Sequence, residues 1–172
     1  MKIIKKASFE EVLAVHDKEH SSSASVKWAR KALTQADNFL KSWNLVELDQ
    51  NDILNSIILM WHKGEVDDDE INLVPPEGAS VIDTLTRFKE IESFYRNKRP
   101  GCYAKIMQLK NSPFTPIFLS SVPISSIGDE HSGMTNYKSG NLVHLDGLHR
   151  LIAWNIAGRI DKNISLTAYL AG

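Results

Sequence analysis

Five consecutive residues, Asp146-Gly147-Leu148-His149-Arg150, set a carboxylate, an imidazole and a guanidinium around a glycine. They follow the apolar run Leu142–Leu145 and open the segment Leu148–Ala157, which closes at Gly158, so they read as a strand, a turn and a helix start. A helix N-terminus carries backbone N–H groups without internal partners and a partial positive charge, and an anion satisfies both. Gly147 permits a close approach of that anion, and the amides of Gly147, Leu148 and His149 would face it. Arg150 supplies a planar two-pronged donor, and His149 a further donor or a group that orients a substrate. Asp146 is placed to cap the helix, hold a metal ion or take a proton from a hydroxyl. A purely architectural part suits the same residues: an N-cap, a turn glycine and an i,i+4 ion pair worth about 0.2–0.5 kcal/mol.

Other polar residues are weaker candidates. His144 stands two positions before Asp146, so strict strand alternation puts both on one face, where His144 would reach a substrate pocket. Ser120, Ser121 and His62 are the remaining candidates for such a pocket, although strand serines are usually ordinary and Trp61 beside His62 fits a helix core. His16 and His20 have the i,i+4 spacing of a helical metal site but no clear third ligand, so no metal site is expected. The run Glu65–Glu70 reads as a solvated acidic loop, since it lacks the spaced ligands of a calcium loop. Cys102 stands alone, which excludes an intramolecular disulfide, and reads as a small buried residue.

The elements that must position these groups follow from periodicity and caps. Ser8 with Glu11 makes a capping box that opens a first helix. After the polar break Ser21–Ser23, Val26, Ala29, Leu33, Ala36, Leu40 and Trp43 fall at three- and four-residue steps of an amphipathic helix. Leu45–Leu48 reads as a short strand, and Asp49 or Asn51 as the cap of a third helix carrying Ile53, Leu54, Ile57, Ile58 and Trp61. Pro75-Pro76-Glu77-Gly78 is a break, after which Ser80 and Asp83 open a helix that stops before Pro100-Gly101. A shorter helix over Tyr103–Leu109, a strand over Pro116–Val122, a polar loop over Ile127–Asn141 and a last strand over Ile164–Leu170 complete the chain.

The expected organisation is α+β: a mostly helical N-terminal extension over residues 1–69 and a core with a small mixed sheet and flanking helices over 70–172, together one compact unit. A formal charge of −1 and a pI near 6.6 argue against a nucleic-acid scaffold. The basic N-terminus runs into Ser8-Phe9-Glu10-Glu11 instead of an apolar signal stretch, and Ile57–Trp61 is too short to span a bilayer. A cytoplasmic location without membrane contact is therefore expected.

The run from Leu142 to Arg159, LVHLDGLHRLIAWNIAGR, resembles the signature of the ParB/sulfiredoxin-like superfamily, in which a strand enters an Asp-Gly-x-x-Arg or Gly-x-x-Arg turn and a helix ending in Gly. The strand entered from Pro116 and the last strand look like that superfamily's neighbours of the signature, and the likeness covers about residues 70–172. It implies that the turn binds nucleotide phosphates. Sulfiredoxins carry Gly-Cys-His-Arg; Gly147, His149 and Arg150 match, but Leu148 replaces the cysteine and cannot act as a sulfur nucleophile. ParB proteins continue into a DNA-binding helical domain, for which the 14 residues after Gly158 leave no room. The free-serine kinases carry Asp-Gly-His-Thr-Arg; Asp146, Gly147 and Arg150 match, while Leu148 and His149 depart, which bears on the substrate more than on the phosphate site.

The nearest implied activity is thus a kinase that uses ATP or ADP with Mg²⁺ on a small hydroxylated metabolite, such as a free amino acid. Asp146 is the first candidate for its base, followed by His149 and by Glu77, the latter suggested by an acidic residue that the free-serine kinases carry upstream. The alternative is a module that binds CTP or ATP without turnover and signals to a protein partner. The oligomeric state has no signature in the sequence.

Overall fold

Leucine, isoleucine and phenylalanine in unbroken succession suit a strand covered on both faces, and Ile117–Ser120 is such a strand. In the computed structural model, which describes residues 1–20, 24–61 and 72–172, Ile117 and Leu119 pack with Phe88, Tyr95, Ile106, Leu151 and Trp154. Phe118, between them, packs with Val12, Leu33, Ala36 and Tyr169 on the opposite side. Each of these fully buried side chains contributes about 1.5–3 kcal/mol relative to exposure.

The strands are β1 (Lys2–Ala7), β2 (Trp43–Leu48), β3 (Ile57–Leu59), β4 (Ala79–Ser80), β5 (Ile117–Ser120), β6 (Leu142–Asp146) and β7 (Leu166–Ala171). They form one seven-stranded mixed sheet in the order β1-β2-β7-β5-β6-β3-β4, with β5 parallel to β7 and β3 parallel to β6. Helices α1 (Phe9–Glu19) and α2 (Ala24–Leu40) cover one face; α3 (Val81–Lys98), α4 (Pro100–Leu109) and α6 (Leu148–Ile156) cover the other. A short α5 (Asp129–Ser132) lies in the connection between β5 and β6. Among the described residues no helix is long and apolar enough to cross a membrane.

The α+β class and most C-terminal elements agree with the sequence reading, and both serines cap their helices, although the Glu11 side chain turns to Lys5 and Tyr169 instead of closing a capping box on Ser8. Ser8 Oγ accepts from Glu11 N at 3.2 Å, and Ser80 Oγ from Asp83 N at 3.2 Å. Three N-terminal readings differ, the first being Trp43, which does not close the amphipathic helix but opens β2 after α2 ends at Leu40. The basic N-terminus Met1–Lys6, given no element in the sequence reading, contains most of the edge strand β1, which pairs with β2. The third helix is a five-residue π-helical turn over Asp52–Ser56, and Ile57–Leu59 leaves it as a strand between β6 and β4. An apolar run buried on both sides carries no period that separates strand from helix. Three of the seven strands therefore come from the N-terminal part, which shares the sheet with the rest of the chain. The polar break Ser21–Ser23, the acidic run Glu65–Glu70 and the pocket candidate His62 lie outside the described residues.

Candidate functional site

The site begins with a break in strand pairing. Phe118 is opposite Asp146, but the next residue of β5, Leu119, is opposite His144, so β6 holds one extra residue at Leu145. Such a bulge interrupts alternation and re-aims a side chain. Cross-strand partners share a face. His144 thus goes with Leu119 toward α3, α4 and α6, while Asp146 goes with Phe118 toward α1. The expectation that His144 and Asp146 share one face is corrected by this bulge.

Gly147 follows with φ 119°, the left-handed region that favours glycine. A Cβ there would stand 2.7 Å from Ile117 Cγ2, so the glycine also lets the turn pack on β5. Helix α6 then starts without a side-chain cap, and its first backbone bond runs from Leu151 N to Gly147 O at 3.0 Å. The amides of its first turn have no intrahelical acceptor.

Asp146 Oδ2 receives His20 Nε2 at 2.9 Å and Arg150 Nη2 at 2.8 Å. A carboxylate only accepts, so His20 donates its Nε2–H, and whenever the ring is neutral its lone pair lies on Nδ1. Burial pushes the Asp146 carboxyl up, but the His20 hydrogen bond and the charges of Arg150, His20 and His144 outweigh it and hold the group well below the usual carboxylate range. Arg150, 8% exposed, turns into the fold: Nη1 donates to Thr115 Oγ1 at 2.6 Å and to Pro116 O at 3.0 Å. The segment just before Thr115 is tied to α6 and its exit: Trp154 Nε1 donates to Ser112 Oγ at 3.1 Å, and the Arg159 guanidinium lies 4.2 Å from the Phe114 ring centre.

These groups line a cavity of about 130 Å³, bounded by Glu19, His20, Lys105, Leu109 and residues 146–150. The structure thus brings Asp146, Gly147, Leu148, His149 and Arg150 together in one hollow. Glu77, Ser120, Ser121 and His144 stand outside it. Glu77 is exposed near the start of β4, and Ser120 is buried with its hydroxyl on Val122 O, toward the end of β5 remote from Gly147. Sequence reasoning missed His20, Glu19 and Lys105 as wall residues. The His16–His20 spacing marked the right helix face, but no sequence signal tied it to Asp146. Among the described residues no group of three or more His, Cys, Asp or Glu could hold a metal ion.

Sheet, bulge and uncapped helix define a mixed α+β protein with a polar hollow at the carboxyl end of β6. The chain matches the family of unknown function DUF6309 over residues 1–172 and belongs to that family. No curated protein and no solved structure matches it.

Proposed function

We propose that this chain is a nucleotide-dependent small-molecule kinase with a ParB/sulfiredoxin-like core, transferring phosphate from ATP or ADP, taken up with Mg²⁺, to a hydroxylated metabolite such as a free amino acid. The observation that carries this reading is the His20–Asp146 bond of 2.9 Å beside the uncapped N-terminus of α6. It joins a proton acceptor to an anion-seeking helix end in one hollow. The adjacency of β7, β5 and β6, the last running directly into α6, supports the same reading.

A hollow of about 130 Å³ is small beside the roughly 300–1,000 Å³ of ordinary ligand pockets. It suits a terminal phosphate, with the rest of the nucleotide outside. The first-turn amides, His149 and the exposed Lys105 supply donors of the right sign for phosphate oxygens. Magnesium, carried on the phosphates mostly with water ligands, would neutralise charge there, and Glu19 is the cavity carboxylate that would receive it. Phosphoryl transfer needs positioning and charge neutralisation more than covalent help. His20 Nδ1 takes the proton of the acceptor hydroxyl as that oxygen bonds phosphorus, and the nucleotide leaves with one phosphate fewer. Asp146, held ionised by the His20 Nε2–H bond and the Arg150 guanidinium, is a poor base and instead fixes the His20 tautomer.

A second reading, a module that binds CTP or ATP without turnover and signals to a protein partner, needs the same phosphate seat, which in both readings rests on the backbone amides and not on Arg150. Arg150 is committed to Thr115, Pro116 and Asp146 and not aimed at a ligand. In either case the proposed setting is the cytoplasm, without nucleic-acid or membrane partners. Phosphorus NMR of the chain with Mg²⁺, ATP or ADP and a panel of hydroxylated amino acids decides between them. A new phosphate ester establishes the kinase; a nucleotide-dependent rise in melting temperature without product establishes the sensor. If no nucleotide shifts the melting temperature, both readings fall.

A further inference from the structure

A buried imidazole directly behind the site has no part in the chemistry above. His16 is 0% exposed, and its Nδ1 lies 3.0 Å from Asp17 Oδ1. The carboxylate takes the Nδ1–H, leaving a lone pair on Nε2. That Nε2 is buried and finds no hydrogen-bond partner among the described residues. A buried acceptor left unmatched is uncommon in native folds and calls for a physical reason.

The surroundings give one. The His16 ring lies 4.6 Å from the His20 ring at 43°, and 5.8 Å from the Phe118 ring at 71°. Phe118 is the residue opposite Asp146 at the bulge. Asp17, which pins His16, is itself bound by Arg30 of α2. A line of contacts therefore runs from Arg30 through Asp17, His16 and His20 to Asp146 and Arg150. Asp146 fixes which nitrogen of His20 carries the proton, but one hydrogen bond leaves the ring free to pivot about it. The His16 ring, tilted against it at 4.6 Å, stands in the way of that pivot. An apolar side chain of equal size would fill the same space without the Asp17 pin.

We propose that His16 is a positioning residue that locks the ring plane of His20 against Asp146, with Asp17 as its anchor. The proposal rests on the reading of His20 as the proton acceptor of the site, but it is tested without nucleotide or turnover. Ring-nitrogen NMR of the intact chain, labelled on histidine, reads the His20 Nε2–H directly. In the parent chain this proton gives one slowly exchanging signal with the Nε2-protonated pattern. In His16→Ala the expected result is exchange at least tenfold faster and averaging between the two tautomer patterns. Asp17→Asn keeps the buried ring and weakens only its pin; it is expected to move the same signal in the same direction by less, and serves if His16→Ala does not fold. An unchanged His20 signal in a folded His16→Ala chain, or in Asp17→Asn, overturns the proposal. Loss of nucleotide binding in the parent chain would sink the functional reading and leave this result standing.

Discussion

His20 and Asp146 stand 126 positions apart and are joined by a hydrogen bond of 2.9 Å, so the first helix of the chain completes a site built around the end of β6. The N-terminal part is thereby a wall of the hollow, through Glu19 and His20, as well as a source of strands.

Arg150 is buried, and its guanidinium bonds to Thr115, Pro116 and Asp146. Arg150→Ala should cost about 3 kcal/mol, because it strips the part-buried Asp146 carboxylate of its guanidinium partner. Arg150→Lys should recover less than half of that, since an ammonium cannot reproduce the planar fork. Urea titrations of both variants without ligand measure this.

Lys105 is exposed on the rim of the same hollow. Lys105→Ala should leave the urea midpoint within about 0.5 kcal/mol of the parent. On the proposed reading it should weaken nucleotide affinity several-fold, an effect that shrinks as salt is raised. Calorimetric titration at two ionic strengths reads both numbers.

Gly147 combines φ 119° with an approach of 2.7 Å between a would-be Cβ and Ile117 Cγ2. Gly147→Ala should cost about 2–4 kcal/mol from the left-handed backbone and the overlap together. Ile117→Ala removes the overlapping methyl, so the double variant should be more stable than the sum of the two single losses predicts. A denaturation cycle over the four chains tests it.

His131 has its pKa pushed down to about 4 by burial, while Nδ1 accepts from Ile124 N at 3.1 Å. The unfolded chain binds that proton first on acidification, so the stabilising effect is whole above about pH 6.5 and fades as pH falls toward 4. Roughly 3 kcal/mol should disappear across that window. His131→Asn keeps an acceptor near the Nδ1 position and should flatten the loss, as melting curves at several pH values would show.

Asp146 titrates further into acid. Its carboxyl is held below the usual range, so its contribution is present above about pH 4 and lost as pH falls below it. Asp146→Asn should be less stable at pH 7 and show a shallower acid limb. An unaltered limb would mean that the His20 and Arg150 contacts do not stabilise the folded chain.

Legibility in the sequence followed the range of the interactions. The Ser8 and Ser80 caps, the amphipathic α2 and the strand–turn–helix at Asp146 are local, and local patterns revealed them. Edge strand β1 hid because its residues Lys2–Lys6 are exposed on both faces, so no alternation marks it. Strand β3 hid for the opposite reason, since all three of its residues are buried. Of the site, the segment 146–150 was legible as one unit. His20 was not, because its partner is fixed by the docking of α1 on the sheet. Arg150 could be placed at the turn but not oriented, since Thr115 and Pro116 reach it through tertiary packing.

The unpaired Leu145 gives this molecule an unusual weak point. Removing that single residue would retain every polar group of the hollow, yet restore regular pleating and send Asp146 out on the far side from His20. Changes in chain length within β6 should therefore silence the protein more readily than many exchanges of one side chain for another.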